Sequence, residues 1–302
     1  MGSSWLQAWR RDKYLYALAL PGVLFFLLFK YVPLGGLVIA FKDYSPYQGI
    51  AGSPWVGLEH FERFFSNPDF LNLFRNTLAI SFMNLFLFFP LPIVLAILLN
   101  ELTSQRFKKT IQTIVYMPHF LSWVIIVGIT FLLLNQSGGV INELLASLGF
   151  AKIDFLTNPR LFWLMLTLQN IWKDAGWGTI LFLAAIAGTD PQLYEAAKMD
   201  GANRFRQMWH ITLPSIRNVI VILLILRIGH TMDVGFEQVF LMTNGAVSGV
   251  ADVFDTYVYR SGIQQGEFSY SAAIGFFKSV TGLILVIVAN RLAKKLGEEG
   301  VY

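Results

Sequence analysis

Cysteine is absent from the 302 residues, which excludes disulfides, Cys-ligated zinc, iron–sulfur clusters and thiol nucleophiles. Charge is scarce as well. Asp, Glu, Lys and Arg make up 14% of the chain, against about 25% in a typical soluble domain. No Gly-x4-Gly-Lys-Ser/Thr loop occurs, so the chain does not bind ATP in the Walker manner, and the lack of His-Glu-x-x-His and Gly-x-Ser-x-Gly disfavours a membrane-embedded hydrolase. The formal net charge of +4 is spread in small clusters, a pattern unsuited to a nucleic-acid partner.

What is present is apolar. Hydrophobic residues make up 55% of the chain, the mean hydropathy is +0.55, and the apolar residues come in long blocks instead of stripes of helical or strand period. About 20 such residues cross a bilayer core. On that measure the sequence holds six spans, near 14–41, 77–99, 111–134, 162–187, 215–235 and 270–292, giving an all-α integral membrane protein in one domain, 1–302. Arg10, Arg11 and Lys13 before an apolar run resemble the start of a secretory signal, but no small-x-small cleavage site follows a short core. The first helix is read as uncleaved.

Basic residues near span ends stay in the cytoplasm. The N-terminus, second loop, fourth loop and C-terminus together hold thirteen Lys and Arg, while the other loops hold six. Both termini are therefore expected on the cytoplasmic side of the cell membrane.

The fourth loop, 188–214, is the informative segment. Asp190 suits an N-cap, Pro191 the first helical position, and Gly201 a left-handed stop. A second short amphipathic helix follows over Asn203 to His210, with Phe205, Met208 and Trp209 on one side and Arg204 and Arg206 on the other. Glu195-Ala196-Ala197, Gly201, Ile211 and Leu213-Pro214 stand at fixed spacing over twenty residues. This pattern resembles the coupling-loop signature of permease subunits in binding-protein-dependent ABC importers of the type I fold.

The resemblance extends to Phe29-Lys-Tyr-Val-Pro33, Ala40-Phe-Lys-Asp43, Val56-Gly-Leu-Glu-His-Phe61, Tyr116-Met-Pro-His-Phe-Leu-Ser-Trp123 and Asp252-Val-Phe-Asp-Thr-Tyr-Val-Tyr259, which narrow it to permeases for oligo- and polysaccharides related to the maltose and alginate systems. It implies an ATP-driven importer of oligosaccharides. Its expected partners are a second, homologous permease in a heterodimer, two cytoplasmic ATPase subunits, an extracellular solute-binding protein, the oligosaccharide and the lipid membrane. No cofactor is expected on this chain; ATP and Mg belong to the ATPase subunits. Glu195 would make a polar contact with the ATPase, Gly201 would set the bend and Pro214 would start the fifth span; Ala196 and Ala197 keep one face slim, and Asp200 belongs to the same coupling loop. The alternatives are a self-sufficient secondary transporter and a sensor or scaffold.

Ionisable groups inside spans are costly and belong in a cavity or against a partner. In the fourth span Gln169, Asn170, Lys173, Asp174 and Trp177 recur at helical spacing, and Arg227, His230, Asp233 and Glu237 repeat the arrangement in the fifth. One reading is a polar path, with Trp172 or Trp177 as a flat surface for a sugar ring; the surplus of basic groups would suit uronate-containing oligosaccharides. The other is internal ion pairing, Lys173 with Asp233 or Asp174 with Arg227. Pro118 is expected to kink the third span, His119 to be a structural hydrogen-bonding residue, and Lys278 to pack against the partner permease.

Overall fold

The computed structural model describes residues 11–298, 300 and 301. Arg10, part of the basic N-terminal cluster, lies outside them. By internal contacts the chain divides into two compact units, 1–66 with 260–276 and 67–259 with 277–302. Among the described residues there is no strand, only an isolated bridge between Lys42 and Trp55. Nine helices carry the argument: α1 (Lys13–Phe26), α2 (Phe70–Met83), α3 (Pro90–Asn100), α4 (Gln105–Tyr116), α5 (Trp123–Leu134), α6 (Pro159–Ala187), α7 (Pro191–Met199), α8 (Arg217–Gly229) and α9 (Phe268–Lys295).

Three helical stretches, Lys13–Phe41, Phe70–Asn100 and Phe268–Lys295, are long and apolar enough to cross a membrane. Two bent pairs, Gln105–Phe120 with Trp123–Leu134 and Arg204–Ser215 with Arg217–Gly229, raise the number to five if each pair is one span. α6, with 29 residues, is about 43 Å long at 1.5 Å per residue and so exceeds a bilayer core of about 30 Å. It is less apolar because Gln169, Asn170, Lys173 and Asp174 occupy its middle. The side chains of α1 are all exposed, Leu18 at 79%, which requires an apolar surround.

Proline shapes these helices by one repeated device. It has no N–H to donate, and its ring clashes with the carbonyl four residues back. Widening the preceding turn relieves the clash. π turns at Leu27–Tyr31, Asn84–Phe88 and Met208–Thr212 each end two residues before a proline: Pro33, Pro90 and Pro214. In each, the residue before the proline donates five residues back, as Phe89 N does to Asn84 O at 3.0 Å. Pro118 acts more strongly than the expected kink. A 3₁₀ turn, Met117–Phe120, ends the helix, Ser122 caps a new one by accepting from Ile125 N, and the two axes differ by 103°.

α6 is central to the second unit. Its Phe162, Met165 and Leu166 pack with Ile80 of α2, Val127 of α5 and Val239 and Met242, all buried. Toward its other end Phe182 and Ile186 meet Ala96 of α3 and Ile216. At Gly176 a Cβ would lie 2.1 Å from the Val115 carbonyl oxygen, so α4 and α6 touch backbone to backbone, as small residues permit in membrane helices. Gly282 of α9 approaches Gly229 of α8 in the same way, with a hypothetical Cβ 2.7 Å from the Gly229 carbonyl oxygen.

The fifth helix is shorter than expected. α8 begins at Arg217, one turn beyond Pro214, after a 58° bend, and stops at Gly229. Residues 230–235 form a turn, and Gly235, at φ +94°, leads into the helix Phe236–Met242. Arg227, His230, Asp233 and Glu237 therefore do not share one helical face, because the helix ends between Arg227 and His230.

Candidate functional site

The polar residues of α6, α8 and the turn after α8 meet in a cleft of about 210 Å3 within the second unit. Asn170 and Asp174 reach it from α6, Arg227 from α8, and His230 and Asp233 from the turn. Ser81 and Asn84, from α2 and the π turn that follows it, and Trp123, the first residue of α5, complete the polar and aromatic lining. The π turn before Pro90 widens the backbone at Asn84 and the Pro118 break lets α5 begin at Trp123, so two prolines help to shape the lining. Asn170 Nδ2 donates to Asn84 Oδ1 at 3.3 Å, and Ser81 Oγ donates to the Thr231 carbonyl, tying the turn to α2.

Three cations deep within the expected spans of this unit, Lys173, Arg227 and Lys278, have different fates. Lys173 donates to the carbonyl oxygens of His119 at 2.7 Å and Leu121 at 2.6 Å, with its ammonium 5.5 Å from the centre of the Trp123 ring. It thereby satisfies carbonyls released where the Pro118 break interrupts the helix, and it is not paired with Asp233. Lys278, on α9, lies between two carboxylates of this same chain, Asp233 Oδ1 at 2.8 Å and Asp255. Its side chain is 11% exposed. Arg227 differs from both. Its guanidinium lies over the Phe88 ring, 5.2 Å from the centre, and makes no hydrogen bond or ion pair among the described residues.

The expected pair of Asp174 with Arg227 does not form as a contact. Asp174 Oδ1 is instead 2.8 Å from His119 Nδ1, and the His119 ring stacks on Trp177 with centres 4.3 Å apart and planes 5° from parallel. His119 is thus structural, as its position suggested. Trp177 has one face covered by that ring, and Trp172 lies in a separate, apolar cleft of about 380 Å3 with Ile126, Leu133 and Met165. Neither lines the polar cleft. Gln169 is buried elsewhere, donating to Thr130 Oγ1 and accepting from Gln238 Nε2, each at 2.8 Å.

Asn170, Asp174, Arg227, His230 and Asp233 are accordingly brought together, while Trp172, Lys173 and Trp177 are not. Sequence reasoning missed Ser81, Asn84 and Trp123. Their signal was polar or amphipathic residues beside Pro90 and Pro118, where helix irregularity directs side chains inward.

The fourth loop has the geometry its residues prescribe. Asp190 caps α7, its side chain accepting from Gln192 N at 2.9 Å, and Pro191 is the first helical residue. At the far end Gly201 takes φ +75°, Gly201 N donates to Lys198 O at 3.1 Å, and Ala202 N donates to Ala197 O at 2.8 Å. That pair of bonds is the Schellman stop. Asn203 then caps the next helix, which runs from Arg204 through the π turn to Ser215, beyond the expected end at His210.

The two arms of the loop brace one another. Tyr194 and Thr212 hydroxyls are 3.0 Å apart, and those of Thr189 and Ser215 are 2.8 Å apart. Arg204 donates to the carbonyl of Glu101, just past α3, at 3.2 Å. Outward, Glu195, Ala196, Asp200, Leu193, Met199, Phe205 and Trp209 are exposed, and Glu195 has no hydrogen-bond or ion-pair partner among the described residues. A braced knob with apolar and acidic groups on its outer face is suited to dock into another protein.

Helices apolar enough to cross a membrane, with a cleft of polar side chains among them, suit a membrane permease. Residues 88–298 match the family model described as the binding-protein-dependent transport system inner membrane component, and the chain belongs to that family. Among curated relatives it is similar to the polygalacturonan/rhamnogalacturonan transport system permease protein YteP of Bacillus subtilis (strain 168), with 59% identity across 97% of this chain and 91% of the relative. Protein LplB of the same organism is 56% identical over 100% of this chain and 95% of its own length. Among solved structures, a chain of the bacterial alginate ABC transporter, crystallised in complex with an alginate pentasaccharide-bound periplasmic protein, aligns with a TM-score of 0.88 and 40% identity, covering 98% of this chain and 99% of that one. Membership in a binding-protein-dependent family sets aside the self-sufficient secondary transporter.

Proposed function

We propose that this chain is a permease subunit of an ABC importer that carries uronate-containing oligosaccharides across the cytoplasmic membrane. The observation that carries the reading is the 59% identity, over nearly the whole chain, with a permease for polygalacturonan and rhamnogalacturonan, a class of acidic polymer. The polar cleft supports it. Asn84, Asn170 and Ser81 offer hydrogen bonds to sugar hydroxyls, Trp123 an aromatic surface, and Arg227 a positive charge.

In this reading the chain acts as one permease domain, 1–302, with six spans and both termini in the cytoplasm. α6 is the fourth span, from which Asn170 and Asp174 face the path, and each bent pair crosses once. A second, homologous permease completes the path, since a cleft of about 210 Å3 is below the roughly 300–1,000 Å3 of an ordinary small-molecule site. An extracellular binding protein delivers the oligosaccharide.

ATP and Mg are bound by two cytoplasmic ATPase subunits. Loop 188–214 is the mechanical link to one of them, with α7 as the coupling helix. Glu195 makes a polar contact there, Ala196 and Ala197 allow close approach, Asp200 and Gly201 form the turn, and Pro214 shapes the arm leading into the fifth span. Closure of the ATPase pair then moves the braced loop as a rigid body and the spans with it.

The test is uptake of labelled oligogalacturonides into proteoliposomes holding the permease pair and ATPase, with the binding protein outside and ATP inside. Uptake that requires every component, this chain included, is the expected result. Uptake that persists when this chain is omitted contradicts the reading.

A further inference from the structure

Of the three cations deep within the expected spans of the second unit, two have protein acceptors and one has none. The ammonium of Lys173 is held by two carbonyls, and that of Lys278 by Asp233 and Asp255. The guanidinium of Arg227 lines the polar cleft, is partly buried, and has no acceptor among the described residues. An Arg carries five N–H donors in a planar fork that cannot be deprotonated in a protein. Charged groups within a membrane domain that lack a protein partner mark ion or substrate pathways.

The neighbouring carboxylates are engaged elsewhere. Asp174 is bonded to His119. Asp233 is bonded to Lys278 at 2.8 Å, with His230 3.6 Å away. The guanidinium carbon lies 5.2 Å from the centre of the Phe88 ring, and its N–H groups are left for an acceptor from outside the described residues. Asn170 and Asn84 line the same cleft, placed to bond hydroxyls next to that acceptor.

We propose that Arg227 is the specificity-determining residue of the translocation path, binding the carboxylate of a uronate unit through the paired N–H groups of its guanidinium. This deepens the proposed function and rests on it. The fork matches a carboxylate bidentately, a geometry that a hydroxymethyl group cannot reproduce. A neutral sugar entering the cleft leaves the donors unpaired, which penalises it. Arg227 thus prefers the acidic oligosaccharide, and Lys cannot replace it fully because its ammonium is a point charge.

The experiment compares uptake of a trigalacturonide and of the same trisaccharide with its carboxyls reduced to primary alcohols. It uses the full reconstituted complex with saturating binding protein, for the wild type, Arg227→Gln and Arg227→Lys. The expected result is wild-type uptake favouring the trigalacturonide, and a loss of that preference by about tenfold or more in Arg227→Gln, with Arg227→Lys between them. A general structural role would lower uptake of both sugars in proportion and leave the ratio unchanged, which overturns the inference. Should Arg227→Gln not assemble, Arg227→Lys decides: an unchanged ratio in its assembled complex also overturns it. A wild-type complex that imports only the reduced sugar refutes the proposed substrate class itself, an outcome distinct from a wild-type preference that survives the substitutions.

Discussion

The imidazole of His119 lies flat on the indole of Trp177, ring centres 4.3 Å apart, while Trp123 lines the polar cleft. His119 covers one face of Trp177 and the Lys173 ammonium stands 5.5 Å from the centre of the Trp123 ring, but of the two indoles only that of Trp123 lines the polar cleft. Aromatic contacts of this kind contribute roughly 0.5–1.5 kcal/mol. Trp123→Ala is expected to raise the apparent KM for oligosaccharide uptake by about threefold to tenfold, whereas Trp177→Phe, which keeps a ring for His119, leaves KM near the wild-type value. Uptake kinetics in proteoliposomes measure both, and the reverse ranking would move the sugar platform to Trp177.

Lys278 is held by Asp233 and Asp255 with a side chain only 11% exposed. Asp255 is also largely buried, at 20% exposed, whereas Asp233 is 59% exposed, so removing the ammonium leaves chiefly Asp255 uncompensated, at a cost of about 1–3 kcal/mol. Lys278→Met is expected to lower the thermal unfolding midpoint of the purified complex markedly. Combining it with Asp255→Asn restores part of the loss, because one unpaired charge is removed. Additive losses in the double variant would show that the two groups do not interact.

Gly176 stands where α4 and α6 touch, and a Cβ there meets backbone 2.1 Å away. Gly176→Ala therefore forces the helices apart and is expected to lower thermal stability and the yield of assembled complex. Gly128, in α5, has nothing within 4 Å of a hypothetical Cβ. Gly128→Ala serves as the control, with stability unchanged or raised by up to about 1 kcal/mol from helix propensity. Equal effects of the two substitutions would contradict the close crossing.

Much of this was legible in the sequence because it is encoded locally. The cap at Asp190, the turn at Gly201 and the helix between them depend on residues only a few positions apart. The apolar blocks depend on nothing but composition. The path was legible only in part. Helical spacing places Asn170 and Asp174 on one face, but His230, Asp233 and Glu237 lie beyond the end of α8 at Gly229, because an apolar run does not reveal where a helix stops inside it. The cation partners were misassigned for a different reason. Lys173 bonds carbonyls freed by the break at Pro118, and the partners of Lys278 come from segments 23 residues or more away in the chain; neither relationship has a periodic signature. The π turns before Pro33, Pro90 and Pro214 suggest a usable sign: a proline inside an apolar span marks where side chains are redirected.

The central claim is that loop 188–214 links ATP hydrolysis to transport through this chain. It is tested most directly by the ATPase activity of the reconstituted permease pair with its ATPase and binding protein, with and without oligogalacturonide, for the wild type and Gly201→Pro. Gly201 sits at φ +75° and its N–H donates to Lys198; proline fixes φ near −65° and has no N–H, so the turn cannot form. The account predicts saccharide-stimulated hydrolysis in the wild type that is lost in a Gly201→Pro complex that still assembles. Undiminished stimulation in that variant would contradict it.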